Sequence, residues 1–147
     1  MDRHIHVIYC DDIRLEVGNK QSLMGIYARE LWIPECPIVL PKICIVVYIS
    51  SPADEPFKTL ILKITKDDEV LIETPLIGDD LLLRQQNIIE NEDKDHPVRR
   101  IQLVGTYILS PFVVEKECVL RALAETESGE LKGQGLRIRV GQAPQAV

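Results

Sequence analysis

Alternation constrains this chain more than any other feature. Ile5, Val7 and Tyr9 fall two residues apart among His4, His6 and Ile8; after Asp11-Asp12 the pattern resumes with Ile13, Leu15 and Val17 around Arg14 and Glu16. A period of two puts successive side chains on opposite faces of a strand, whereas a helix repeats near 3.6 residues. The period returns at Leu60, Leu62 and Ile64, at Val70, Ile72 and Thr74, at Ile101, Leu103 and Tyr107, and at Leu136, Ile138 and Val140. Turn signals separate these runs. Gly18-Asn19-Lys20 predicts a β-hairpin over residues 13–27, and Asp67-Asp68-Glu69 predicts a second. About eight short strands so spaced predict a mainly β chain: an antiparallel β-sandwich, immunoglobulin-like or C2-like. Leu15, Leu60, Leu62, Ile64, Leu103, Leu136 and Ile138 occupy the phase expected to face its core.

Two segments break the alternation. Residues 79–90 predict one short helix, with Asp79 or Asp80 capping its N-terminus and Leu81, Leu82, Ile88 and Ile89 sharing a stripe that Gln85 interrupts. Glu90 to His96 reads as a charged loop and residues 142–147 as a frayed tail. Ile43 to Ile49 is apolar on both faces, and a sandwich ordinarily covers one. The missing cover is either the 79–90 helix, giving a monomer, or a second subunit, giving a homodimer with Ile43, Ile45, Val47 and Ile49 as its interface.

The 147 residues suit a single domain, and 46% hydrophobic content can fill its core. Only 5% of residues are aromatic, so that core is mostly Ile, Leu and Val. No apolar run approaches the ~18 residues of a membrane span, and the N-terminus lacks a targeting pattern, so a cytoplasmic protein without membrane partners is expected. Cys10, Cys36, Cys44 and Cys118 form no C-x-x-C pair. Cys44 and Cys118 read as buried thiols, with no disulfide expected.

The net charge of −6 is concentrated: residues 66–96 hold ten acidic and three basic residues. Such a chain repels phosphate, so no nucleic-acid partner is expected. Asp11-Asp12, Asp67-Asp68 and Asp79-Asp80 lie in expected loops and could converge on Ca²⁺, which takes six to eight oxygens. Asp is also a common turn and capping residue, and no EF-hand spacing is present. His4-x-His6 has workable ligand spacing but lacks a second ligand cluster. Gly25-Ile26-Tyr27 matches the opening of a GIY-YIG nuclease domain. The second motif is missing, however, since Tyr48-Ile49-Ser50 lies too far on and lacks the glycine; the triplet reads instead as a strand with a close backbone contact. There is no G-x-S-x-G and no phosphate-binding glycine loop. Arg99, Arg100, Arg121, Arg137 and Arg139 cluster in the C-terminal half. If their strands are neighbours, they form a basic stripe able to meet an acidic partner.

Ile8-Tyr9-Cys10-Asp11-Asp12, Ile13 to Val17, Gly18-Asn19-Lys20, Ser22 to Tyr27, Pro37 and the strand Ile43 to Ile49 together resemble a bacterial family of small β-sandwich proteins that has no assigned function. The resemblance covers about residues 5–75 and rests on structural punctuation, so it implies a fold and no site residue. The expectation is a non-enzymatic accessory or interaction domain of a bacterium or phage, with a protein partner and no cofactor. The alternatives are a Ca²⁺-dependent C2-like binding module and a hydrolase with an unrecognised carboxylate site.

Overall fold

The computed structural model describes residues 2–76, 78–90, 95 and 99–144. His96, most of the charged loop before it and the last three residues of the expected tail lie outside them. The elements in order are β1 (His4–Glu16), β2 (Lys20–Ile26), β3 (Glu30–Ile33), β4 (Ile38–Leu40), β5 (Ile43–Pro52), β6 (Leu60–Lys66), β7 (Glu69–Leu76), α1 (Asp79–Glu90), β8 (Arg100–Leu109), β9 (Phe112–Val114), β10 (Cys118–Thr126), β11 (Gly129–Lys132) and β12 (Leu136–Val140). One sheet runs β2-β1-β5-β8. The other runs β3-β12-β10-β6-β7, with β11 also on β10, and β4 pairs β9 separately. The result is a β-sandwich, antiparallel except where β12 meets β3 in parallel. Among the described residues no helix is long and apolar enough to cross a membrane.

The alternation explains the core. Val7, Tyr9, Ile43, Ile45, Val47 and Ile49 from the first sheet close on Leu60, Leu62, Ile64, Leu120, Ala122, Ala124, Leu136 and Ile138 from the second in one buried cluster, with Leu103 packed against it. The expected interface set, Ile43, Ile45, Val47 and Ile49, is therefore core, with none of the four more than 1% exposed. These side chains face the second sheet and are closed to a partner. Only the other phase of β5 (Cys44, Val46, Tyr48) faces outward.

The 13–27 hairpin forms, with Gly18 and Asn19 at positive φ in its turn. Its first strand is continuous with residues 4–12 rather than separate. Leu15, expected in the core, is 79% exposed. Beyond Asp12, β1 pairs only β2, so the hairpin leaves the sandwich as an arm. That arm folds back over the outer face of β5. The Cys44 and Cys10 thiols donate to the carbonyls of Asp11 and Asp12 at 3.8 and 3.5 Å. Leu15 and Lys20 of the arm also line one cavity of about 610 Å³ with Tyr48 and Val104. Tyr48 pairs with His6, nine residues before Leu15, and a straight strand of that length would span about 30 Å. Gly25 permits the bend: it sits at φ +67°, and a Cβ there would run into the Asp11 carboxylate, which Tyr27 holds by a hydrogen bond.

The helix forms at the expected residues, but its stripe differs. Leu81 and Gln85 are its buried side chains, while Leu82 is exposed and Ile88 and Ile89 are half-buried. Gln85 docks the helix on the β5–β6 connection through both backbone groups of Phe57.

Candidate binding face

The outward side chains of the second sheet bring scattered cations together. Register sets Val119 of β10 opposite Arg137 of β12, and Arg137 opposite Glu30 of β3. Arg121 and Leu123 of β10 face Thr65 and Lys63 of β6. On the inner side of the same strands lie Leu120, Ala122, Leu136 and Ile138, so the Arg-x-Arg pattern in β12 is the solvent half of its alternation.

Arg29, Arg121 and Arg137 surround a recess of about 390 Å³ with Val119, Gln134 and Gly135 in its lining. Arg121 is fixed: its Nη1 donates to the carbonyl of Gly133 at 2.8 Å. Gly135 makes room for it, since a Cβ there would sit 3.2 Å from Arg121 Nη2 and 2.8 Å from Val119 Cγ1. From beneath, the Tyr9 hydroxyl donates to the carbonyl of Gln134 at 2.7 Å, holding the rim. Burial pushes that phenol up to about 12, partly offset by the nearby Arg121, so it stays a neutral donor.

Glu30 also lines the recess, but its carboxylate is taken by Arg139 at 3.1 Å, whose guanidinium lies over the Trp32 ring at 5.4 Å. The Arg29 and Arg137 side chains have no hydrogen bond or ion pair among the described residues. A second concavity of about 810 Å³ shares Val119 and Arg121 and adds Lys63, Lys116 and Lys132 against Asp67, Asp68 and Glu130. Lys63 is already matched by Glu125 at 2.6 Å and by Glu73 at 3.9 Å. The positive end of the face is thus the three-arginine recess.

The expected calcium ligands do not converge. Asp12 pairs with Lys42 at 2.7 Å on β1, and Asp11 accepts from Tyr27. Asp67 and Asp68 occupy the β6–β7 turn, where Asp67 accepts from the Val119 N–H at 3.0 Å. Asp79 and Asp80 open α1. Among the described residues no three His, Cys, Asp or Glu side chains are grouped to hold a metal ion. His4 and His6 are exposed on the outer face of β1, with the His6 ring stacked on Tyr48. Of the expected basic stripe, Arg121, Arg137 and Arg139 come together. Arg100 lies instead on β8, where it binds Ser50 and the carbonyl of Asp2. Arg29 completes the recess unforeseen, because the strand after it, β3, lies just before a proline-rich stretch and shows no long alternation.

No family model matches the chain, and no curated protein matches it in sequence.

Proposed function

We propose that this protein is a non-enzymatic interaction domain that holds an acidic protein segment on the outer face of its second sheet. The observation that carries the reading is the Arg29–Arg121–Arg137 recess, in which the Arg29 and Arg137 guanidiniums form no ion pair among the described residues. Clustered like charges repel. A carboxylate-bearing partner relieves that repulsion, and the planar guanidinium fork suits bidentate carboxylate binding. The acidic surplus of the chain lies mainly in residues 66–96. Salt screens exposed charges beyond a Debye length of roughly 8–10 Å, so a locally positive site is compatible with a negative chain. Asp67, which lines a neighbouring concavity with Arg137, and Asp68 and Glu130 on the same face favour a peptide of mixed character over a uniformly charged nucleic acid.

A bacterial or phage accessory role in the cytoplasm belongs to the same reading. Cys10 and Cys44 lie directly opposite each other in the β1–β5 ladder as free thiols, which suits a reducing compartment.

The test is titration of a glutamate-rich peptide and a single-stranded oligonucleotide into the protein and into Arg29→Glu/Arg137→Glu. The peptide is expected to bind the parent with an affinity that falls as salt rises. The charge-reversed protein should bind at least ten times more weakly while melting at the same temperature. Equal binding by both proteins, or preference for the oligonucleotide, overturns the reading.

A further inference from the structure

A strand paired on one side only offers its free N–H and C=O groups as a template, and proteins usually guard such edges with charge, proline, bulges or shortness. Of the four strands that end the two main sheets, three are guarded. β2 begins at Lys20 and bends away at Gly25. β3 has four residues and carries Glu30. β7 carries Glu69, Glu73 and Pro75, and its ladder with β6 is irregular at Ile64/Thr65.

The fourth edge, β8, is different. It ends the first sheet, and among the described residues no strand pairs with its other side. It is ten residues long and pairs with β5 without a register shift from Ile43↔Leu109 to Pro52↔Arg100. From Ile101 to Leu109 it contains no charged residue and no proline. Its outward Val104 and Ile108 are 50% and 56% exposed.

We infer that β8 is the interface through which two copies of this chain pair edge to edge, antiparallel, about a two-fold axis at Gly105. Gly105 is the midpoint of the uncharged run. Self-pairing there sets Ile101 opposite Leu109 and Leu103 opposite Tyr107 on the core side. On the outer side it sets Val104 opposite Thr106 and Gln102 opposite Ile108. Every cross-strand pair is free of charge conflict, and each except the central Gly105 pair occurs twice, as a two-fold contact requires. The first sheet then runs continuously through both copies. The occupant is a second copy because the edge is complementary to itself. Self-association moves one strand over from residues 43–49, whose inward side chains are spent in the core.

The test combines sedimentation over a concentration series with two double variants. The wild type is expected to double its mass as concentration rises. Val104→Lys/Thr106→Lys puts like charges opposite each other across the axis and should remain monomeric over the same range. Val104→Lys/Thr106→Glu sets opposite charges in the same positions and should restore the dimer, which separates interface loss from misfolding. A wild type that stays monomeric throughout overturns the inference and leaves the edge to a strand of another protein. A Lys/Lys variant that dimerises as well as the wild type also overturns it.

Discussion

The side-chain amide of Gln85 satisfies both backbone groups of Phe57: its Oε1 accepts from the Phe57 N–H at 2.6 Å and its Nε2 donates to the Phe57 carbonyl at 2.8 Å. A glutamine at 1% exposure thus does for a loop residue what a neighbouring strand would do. Phe57 is itself fully buried, with the Arg3 guanidinium 4.5 Å from its ring centre.

Replacing Gln85 with Leu keeps the volume but leaves the N–H and C=O of Phe57 buried without partners. Each orphaned group costs about 1–3 kcal/mol. Urea unfolding of Gln85→Leu should show a loss in that range or above it. A variant as stable as the parent would mean that the helix is not docked through this pair.

Stability should depend on pH through Glu127. Burial pushes its carboxyl up. The hydrogen bond from Arg3 at 2.6 Å and those from backbone N–H groups, including that of Thr59, outweigh burial and hold it down at about 2, against an ordinary 4.5. A lowered folded-state pKa contributes stability that is present above the unfolded value and lost as pH falls through the folded one. The gap in urea midpoint between the wild type and Glu127→Gln should be steady from pH 7 to about 5, shrink between about 4.5 and 2, and vanish below. Parallel curves down to pH 2 would remove the Arg3–Glu127 bridge from the account.

Leu62→Ala and Ile138→Ala should each cost about 2–5 kcal/mol, because both side chains are enclosed between the sheets. Leu15→Ala, on the exposed arm, should change stability by less than about 0.5 kcal/mol. Thermal melts of the three variants decide this. A Leu15→Ala melt as low as the other two would place the arm in the folding core.

The cysteines should differ in reactivity. Burial raises the Cys10 thiol to about 11, with Cys44 and Asp11 adding to the rise, and burial likewise raises Cys44 and Cys118. Protonated, enclosed thiols alkylate slowly. Cys36 is the half-exposed member of the set. Mass spectrometry after brief alkylation at pH 8 should show one label, at Cys36, and four after denaturation. Early labelling of Cys10 or Cys44 would mean that the arm lifts off β5.

Strand phase was legible because burial on one side writes a period of two into the chain. Leu62, Ile64, Leu136 and Ile138 face inward as that period predicts. Phase says which residues share a face and nothing about what lies over it. Leu15 has the apolar phase but belongs to an arm beyond the sandwich, and Ile43 to Ile49 has two apolar faces because the chain's own hairpin turns over the outer one. The arginine recess stayed hidden for a related reason. Arg121 and Arg137 meet through the β10–β12 ladder, while Arg29 arrives with β3 through a parallel pairing that no local pattern announces. Gln85 looked like a break in an apolar stripe because its role depends on Phe57, 28 residues away.

The strand order β3-β12-β10 also bears on how the molecule is made. β12 sits between two strands that precede it in the sequence. Until Leu136 to Val140 emerge, β3 has no strand partner among the described residues and β10 shows an open margin over Cys118 to Leu120, so the second sheet closes only once these five residues have been made. A chain cut short before Leu136 by a premature stop or a protease therefore loses more than five residues: it leaves a strand-wide slot bordered by two apolar margins, the kind of lesion that chaperones and quality-control proteases recognise.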